Sequence, residues 1–324
     1  MKDASPKVKR GLIVPAATAL DDKGEIIVAE QRRLLRHCID GGAAAIFSPG
    51  TTGEFLRLRN GQRNQLMEIA VEEVSRYCRQ DAKPEAWPVI NGSTVSQTLE
   101  NLRLAIRLKV DSAVVAPLAV ADLEREDIPK FLGEIISIVK EHSPRMPVCL
   151  YENPEIAKHE NLTLLPPDLL RRLCEAPEVG GIKVSAGADV VQSMLANLRL
   201  LHRDNLLEIY LGYATLIFSM DVPNSPIAGI VAGAGNLFPR QWALAWNAAA
   251  MGDRRRAAIY RQPLEKLETA IGPKYVSAIK WGLVEMGLLS RPDTASGTRT
   301  LSDGDAQEFL TKFREIRRDL ESLE

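Results

Sequence analysis

The sequence is short of the residues that hold metals. Its four histidines are His37, His142, His159 and His202, and none stands in an HxxxH or HExxH pair. A metal-dependent aldolase needs clustered ligands, so no metal is expected. Cysteine is equally sparse. Cys38, Cys78, Cys149 and Cys174 form no CxxC pair, which argues against a disulfide framework and for a reduced, cytoplasmic chain. No run of about eighteen apolar residues occurs, so no membrane span is expected. Residues 1–10 carry no apolar stretch of the signal-peptide kind. Neither sign of charge is in excess: 41 basic and 42 acidic residues leave a net charge of −1. Nothing in that balance calls for nucleic acid or an anionic membrane as partner. No GxGxxG follows the first apolar run, which leaves a dinucleotide-binding fold unsupported. No Ser-His-Asp ordering supports a triad hydrolase.

What is present is an alternation. Over 324 residues, 45% hydrophobic and 26% charged, short β-branched runs trade places with longer amphipathic ones. The runs at 11–15, 44–48, 88–91, 112–116, 147–151, 180–187, 207–211 and 228–232 read as strands. Helices are expected at 28–40, ended by Gly41-Gly42, at 61–79, and from a Ser93 or Thr94 cap to about 108. Others are expected at 126–142, from Pro166-Pro167 to about 175, at 190–201, and in a short piece at 214–220. Eight strand–helix units within roughly 240 residues match the size of a closed (β/α)8 TIM barrel. Beyond Pro239 the pattern is helical at 241–250, 255–270, 275–286 and 305–323, with a linking loop at 290–302. The expected α/β architecture is therefore a tail over 1–10, a barrel over 11–238 and a C-terminal helical region over 239–324.

Chemistry in a barrel collects at the C-terminal strand ends. Lys183 lies inside the otherwise apolar run 180–187. Alternation puts Ile182 and Val184 on one face and Lys183 and Ser185 on the other. Burial disfavours an ammonium, and the neutral amine it favours is a nucleophile. The plain alternative is a lysine that reaches solvent from a strand end. After the second strand comes Gly50-Thr51-Thr52-Gly53, whose N–H groups and hydroxyls can converge on a carboxylate. The alternative there is an ordinary polar turn. Tyr151 ends the fifth strand, where a phenol can relay protons or simply cap the packing. Together, an amine, a phenol and an anion loop at one barrel mouth suit imine chemistry on a 2-oxo acid. Ser48, Asn91 and Ser185 could line the interior. The glycine-rich stretch 229–235, ending at Asn236, is read as close packing in preference to a phosphate loop. Arg254-Arg255-Arg256 reads as a solvated helix start.

Gly50-Thr51-Thr52-Gly53-Glu54, Tyr151 with Asn153-Pro154, and Gly181-Ile182-Lys183 resemble the signature of the dihydrodipicolinate synthase/N-acetylneuraminate lyase family. The resemblance spans residues 11 to about 289, in order and spacing. It implies a homotetramer (a dimer of dimers) and class I catalysis through a lysine imine, with no metal or other cofactor. By resemblance Lys183 is the Schiff-base lysine, Tyr151 the proton shuttle, and Thr51 and Thr52 the carboxylate binders, Thr52 also taking part in catalysis. Gly212 and Val231 would lie beside the substrate.

The departures are specific. The synthases carry a tyrosine pair just after the fourth strand, where this chain reads Ala116-Pro117-Leu118-Ala119-Val120. They place an arginine shortly after the fifth-strand tyrosine, where Ile156 stands here, with Lys158 the nearest cation. The lyases follow Gly212-Tyr213 with acidic residues, where this chain has Ala214 and Thr215. The expectation is a lyase acting on a pyruvate-type 2-oxo acid by aldol cleavage, condensation or dehydration of a 2-keto-3-deoxy or 4-hydroxy-2-oxo acid. The alternatives are a 4-hydroxy-tetrahydrodipicolinate (dihydrodipicolinate) synthase, a non-catalytic 2-oxo-acid-binding protein on the same scaffold, or a phosphate-handling barrel enzyme.

Overall fold

The computed structural model describes residues 8–77, 83–157, 167–173, 175–199 and 207–323. Eight parallel strands form one sheet in the order β3-β2-β1-β8-β7-β6-β5-β4. They are β1 (Gly11–Pro15), β2 (Ala45–Phe47), β3 (Glu85–Ala86), β4 (Ala113–Val115), β5 (Val148–Glu152), β6 (Val179–Val184), β7 (Glu208–Leu211) and β8 (Ile227–Val231). The two ends of that order meet through a parallel bridge between Val89 and Val114. The Val114 N–H donates to the Pro88 carbonyl, and the Ile90 N–H to the Val114 carbonyl, each at 2.9 Å. The sheet is thus closed into a barrel, the fold expected from the sequence.

The third strand differs from its expectation at 88–91. Glu85 and Ala86 pair with β2, and only Val89 bridges β4. Pro88, between them, has no N–H to give to a ladder. The β-branched residues after it suggested a strand, but the regular pairing lies before it.

Helices α1 (Val28–Asp40), α2 (Asn60–Ser75), α3 (Val95–Leu108), α4 (Ile128–His142), α5 (Pro167–Leu173) and α6 (Ala188–Arg199) connect successive strands. Thr94 caps α3 by accepting from the Gln97 N–H. A 3₁₀ turn over Ala214–Phe218 replaces a full helix between β7 and β8. The expected ends at 78–79, 166 and 200–201 lie outside the described residues, as do Cys78, Lys158, His159, Cys174 and His202. No helix among the described residues is long and apolar enough to cross a membrane.

Strand alternation sorts the core in two. Leu12, Val14, Ile46, Val115, Leu150, Ile182, Val184, Ile209, Leu211 and Ile230 face the helices. Ile13, Ala45, Phe47, Val114, Cys149, Tyr151, Tyr210 and Val231 face inward. The floor of the barrel is aromatic. Trp87 meets Tyr210 edge-on with centroids 5.1 Å apart. Gly181 and Gly229 make room for that ring, since an added Cβ at either would lie 2.9 Å from it. The Tyr210 hydroxyl reaches the Lys9 carbonyl at 3.0 Å, and Val8 is buried in the interior cluster. Residues 8–10, expected as the end of a tail, therefore close the barrel bottom.

Helices α7 (Pro239–Ala250), α8 (Arg254–Ile271), α9 (Tyr275–Glu285) and α10 (Asp303–Glu321) complete the chain. Helix α7 packs on β1 and α1, while α8 and α9 pack against α10. Phe313 of α10, fully buried, lies 5.6 Å from the rings of both Phe238 and Phe309. Burying one such ring contributes about 1.5–3 kcal/mol.

A fully buried ion pair is among the polar links that join this region to the barrel. Lys280 on α9 and Glu54, after β2, form an ion pair of 2.5 Å with side chains 0% and 2% exposed. The Lys280 ammonium also donates to the Asp293 carbonyl at 2.6 Å. The other Glu54 oxygen accepts from the Ala295 N–H and the Thr298 hydroxyl, each at 2.7 Å. Glu54 itself sits in the left-handed region, at φ 61°.

Candidate active site

A cavity of about 840 Å³ opens at the C-terminal ends of the strands. Thr51, Thr52, Tyr151, Lys183, Gly212 and Val231 all line it. The six residues singled out from the sequence are therefore brought together, although they come from five separate βα units.

Lys183 is held by its place in the ladder. It pairs with Tyr151 on β5 and with Tyr210 on β7. Its side chain is 4% exposed. The amine nitrogen lies 3.8 Å from the Tyr151 ring centroid and 4.7 Å from that of Phe47. Two aromatic walls thus flank the amine, an arrangement that stabilises a cation and directs it.

Tyr151 is the hub of the hydrogen bonds. Its hydroxyl lies 2.9 Å from the Thr51 hydroxyl and accepts from the Asn153 amide at 3.0 Å. Burial alone would raise the phenol pKa. The Lys183 charge, then the Thr51 and Asn153 hydrogen bonds, outweigh burial and hold it below the usual phenol value. A phenol so placed gives up and recovers a proton readily.

The loop after β2 is braced from below. The Thr18 hydroxyl donates to the Gly53 carbonyl at 2.7 Å. An added Cβ at Gly53 would lie 2.7 Å from the Ala16 carbonyl oxygen, so only glycine fits. Among the described residues no backbone carbonyl takes the N–H of Thr51 or Thr52. Free N–H groups beside two hydroxyls make an oxyanion seat. Gly212 is there for close approach: a Cβ would lie 2.2 Å from the Ser185 hydroxyl and 2.8 Å from its Cα.

The glycines in and just after β8 serve packing. Gly229 abuts Gly11 and Tyr210, and Gly235 abuts Val14. Asn236 is fully buried and ties this stretch to β1. It accepts from the Ala17 N–H and donates to the carbonyls of Pro15 and Gly233, at 2.8–2.9 Å.

Sequence reasoning missed the far wall. Glu268 and Tyr275, on α8 and α9, line the same cavity. The Tyr275 hydroxyl accepts from the Ala234 N–H at 3.1 Å and reaches Glu268 at 3.5 Å. Burial pushes the Glu268 carboxyl up to about 7, against the Tyr275 hydrogen bond. Gly233 sits between Tyr275 and Thr52: its missing Cβ would lie 2.7 Å from one hydroxyl and 3.0 Å from the other. Only the return of the chain after residue 250 creates this wall.

The departures noted in the sequence fall at the mouth. Pro117–Ala119 is a 3₁₀ turn. Ala119 and Ile156 pack against the interior cluster. Apolar groups occupy both places, while Ala214 and Thr215 line the cavity.

Comparison with known proteins agrees with this geometry. The 4-hydroxy-tetrahydrodipicolinate synthase of Methylococcus capsulatus is 26% identical over 286 residues, covering 86% of this chain and 89% of that one. The Escherichia coli synthase is 25% identical, covering 90% and 96%. Among solved structures, a prophage protein of the dihydrodipicolinic acid synthase family from Escherichia coli K12, in complex with pyruvate, superposes with a TM-score of 0.82 at 20% identity. The match covers 95% of this chain and 98% of that one. A Clostridium difficile protein named CdNal, in complex with mannosamine, superposes with a TM-score of 0.81 at 17% identity, covering 96% and 100%. The sequence pattern of the dihydrodipicolinate synthetase family runs from residue 8 to residue 312. With that pattern unbroken through the barrel and most of its C-terminal helices, the chain belongs to the dihydrodipicolinate synthetase family.

Proposed function

We propose that the protein is a class I lyase that captures a 2-oxo acid as an imine on Lys183. The observation that carries this reading is the placement of the Lys183 amine on the Tyr151 ring, whose hydroxyl meets Thr51 in the same cavity. The Thr51 and Thr52 N–H and hydroxyl groups hold the substrate carboxylate. The free amine adds to C2, and the carbonyl oxygen leaves as water. Tyr151 supplies and removes the protons of that exchange. The protonated imine then draws electrons from C3. Either the C4 hydroxyl gives up its proton as the C3–C4 bond breaks, releasing an aldehyde and a pyruvate enamine, or C3 loses a proton and the C4 hydroxyl departs as water. Protonation of the enamine at C3 in the first case, and hydrolysis of the imine by water in both, then free the oxo acid and Lys183. The substrate is a 2-keto-3-deoxy or 4-hydroxy-2-oxo acid. The family supports a homotetramer.

A second reading, 4-hydroxy-tetrahydrodipicolinate synthesis, is favoured by the curated relatives. Against it stand Leu118, Ala119 and Ile156, which offer neither phenol nor guanidinium to an aldehyde partner that carries its own carboxylate.

Borohydride with pyruvate should add mass at Lys183 and abolish turnover. An absence of adduct on any lysine, across a panel of 2-oxo acids, would overturn the imine. Pyruvate release and water loss, followed over the same panel, separate cleavage from dehydration. Condensation of pyruvate with aspartate semialdehyde at a comparable rate would select the second reading.

A further inference from the structure

The cavity is far larger than its reactive centre requires. About 840 Å³ is near the upper end for ligand pockets. A three-carbon oxo acid on Lys183, with its carboxylate at Thr51 and Thr52, fills only the deep end. The rim carries two exposed arginines, Arg57 and Arg299. Neither forms an ion pair among the described residues. Their neighbours do: Arg59 is engaged by Glu25 at 2.5 Å, and Lys274, also on the rim, by Asp305 at 2.8 Å.

The backbone under these arginines is fixed. Arg57 follows three residues after Glu54, the carboxylate buried against Lys280. Arg299 follows Thr298, whose hydroxyl donates to the same carboxylate. Gly297, at φ +81°, would place a Cβ 2.6 Å from an Arg57 guanidinium nitrogen. The Arg57 head group therefore rests on the Gly297 backbone, two residues from Arg299. A buried ion pair gathers both cations onto one patch. The wall after β5 offers the opposite, with Glu155 lining the cavity and Ile156 where a cation would be needed.

We propose that Arg57 and Arg299 form a distal oxyanion subsite, and that the substrate is a 2-oxo acid bearing a second anionic group, a carboxylate or a phosphate, at the far end of its chain. The planar donor fork of arginine suits either group. This rests on the reading of Lys183 as the imine-forming lysine. Glu155 repels the distal anion from the β5 side, and the arginines draw it to the C-terminal side.

Two matched pairs test the subsite by competition against borohydride trapping of pyruvate. One pair is 2-oxoadipate and 2-oxohexanoate. The other is 2-keto-3-deoxygluconate and its terminal phosphate ester. The member of one pair that carries the distal anion should compete roughly tenfold or more better than the partner that lacks it, as a charge-assisted contact requires. Whichever pair shows this identifies carboxylate or phosphate. In R57Q and R299Q that ratio should fall toward one, with R57K keeping part of it. A ratio near one for both pairs in the wild type, or one unchanged in the double variant, overturns the subsite while leaving the imine intact. If pyruvate gives no adduct, the imine reading fails instead. Calorimetric binding of 2-oxoadipate against 2-oxohexanoate needs no imine and then reads the arginines alone.

Discussion

Lys183 and Tyr151 are register partners on adjacent strands, and the amine of one lies 3.8 Å from the ring centroid of the other. The lysine charge is thus applied directly to the phenol that serves it. Removing the charge in K183M should raise the Tyr151 titration midpoint, read as phenolate absorbance against pH. An unmoved midpoint would mean that the two groups are not coupled. In Y151F the aromatic wall remains and the hydroxyl is lost. Turnover should fall about 10²- to 10⁴-fold, while the borohydride adduct at Lys183 still forms.

Gly212 tolerates no side chain. The Cβ of G212A would meet backbone as well as the Ser185 hydroxyl, so the β7 end must move away from β6. A cost of about 1–3 kcal/mol is expected, together with a raised KM for any 2-oxo acid. Thermal denaturation and steady-state kinetics check the two effects. Wild-type stability in G212A would show that the loop yields freely.

The Glu54–Lys280 pair is buried at both ends. Breaking one partner leaves the other charge stranded, at a cost of about 3–5 kcal/mol. K280M should therefore be markedly less stable in urea denaturation. The double variant E54Q/K280M should recover part of that loss, because no charge is then left unpaired. Equal stabilities of K280M and the double variant would argue against coupling.

Glu268 carries a pH signature. Its folded pKa, about 7, lies above the ordinary carboxyl value. The folded state then holds a proton that the unfolded state has released, so stability falls as pH rises from about 4.5 to about 7. E268Q removes this penalty. The variant should match the wild type near pH 5 and exceed it near pH 8, by at most about 3 kcal/mol. Parallel stability curves for the two proteins across that range would refute the raised pKa.

The barrel, and the gathering of Lys183 and Tyr151 around one cavity, were legible because they follow from local pattern. The two-residue period of a strand placed Lys183 opposite Ile182 and Val184, and strand order placed Tyr151 beside it. The third strand was misplaced because Val89 and Ile90 have strand propensity, whereas Pro88 before them has no N–H to give and interrupts the ladder. Glu268, Tyr275, Arg57 and Arg299 carried no local signal. Their placement depends on long-range contacts such as the Ala234–Tyr275 hydrogen bond and the Glu54–Lys280 pair, which joins residues 226 apart, and no periodicity reports contacts of that span.

Among the described residues, the aromatic pair Trp87 and Tyr210, with Val8 buried in the same cluster, fills one end of the barrel, and the cavity opens at the other. A molecule joined to Lys183 sits at the end of a blind passage, and anything that reacts with it must queue behind. In the reaction proposed above, the oxo acid would be the first to arrive and the last to leave. Its companion comes and goes through the space between. On that proposal, the order of binding follows from the depth of Lys183 in the cavity.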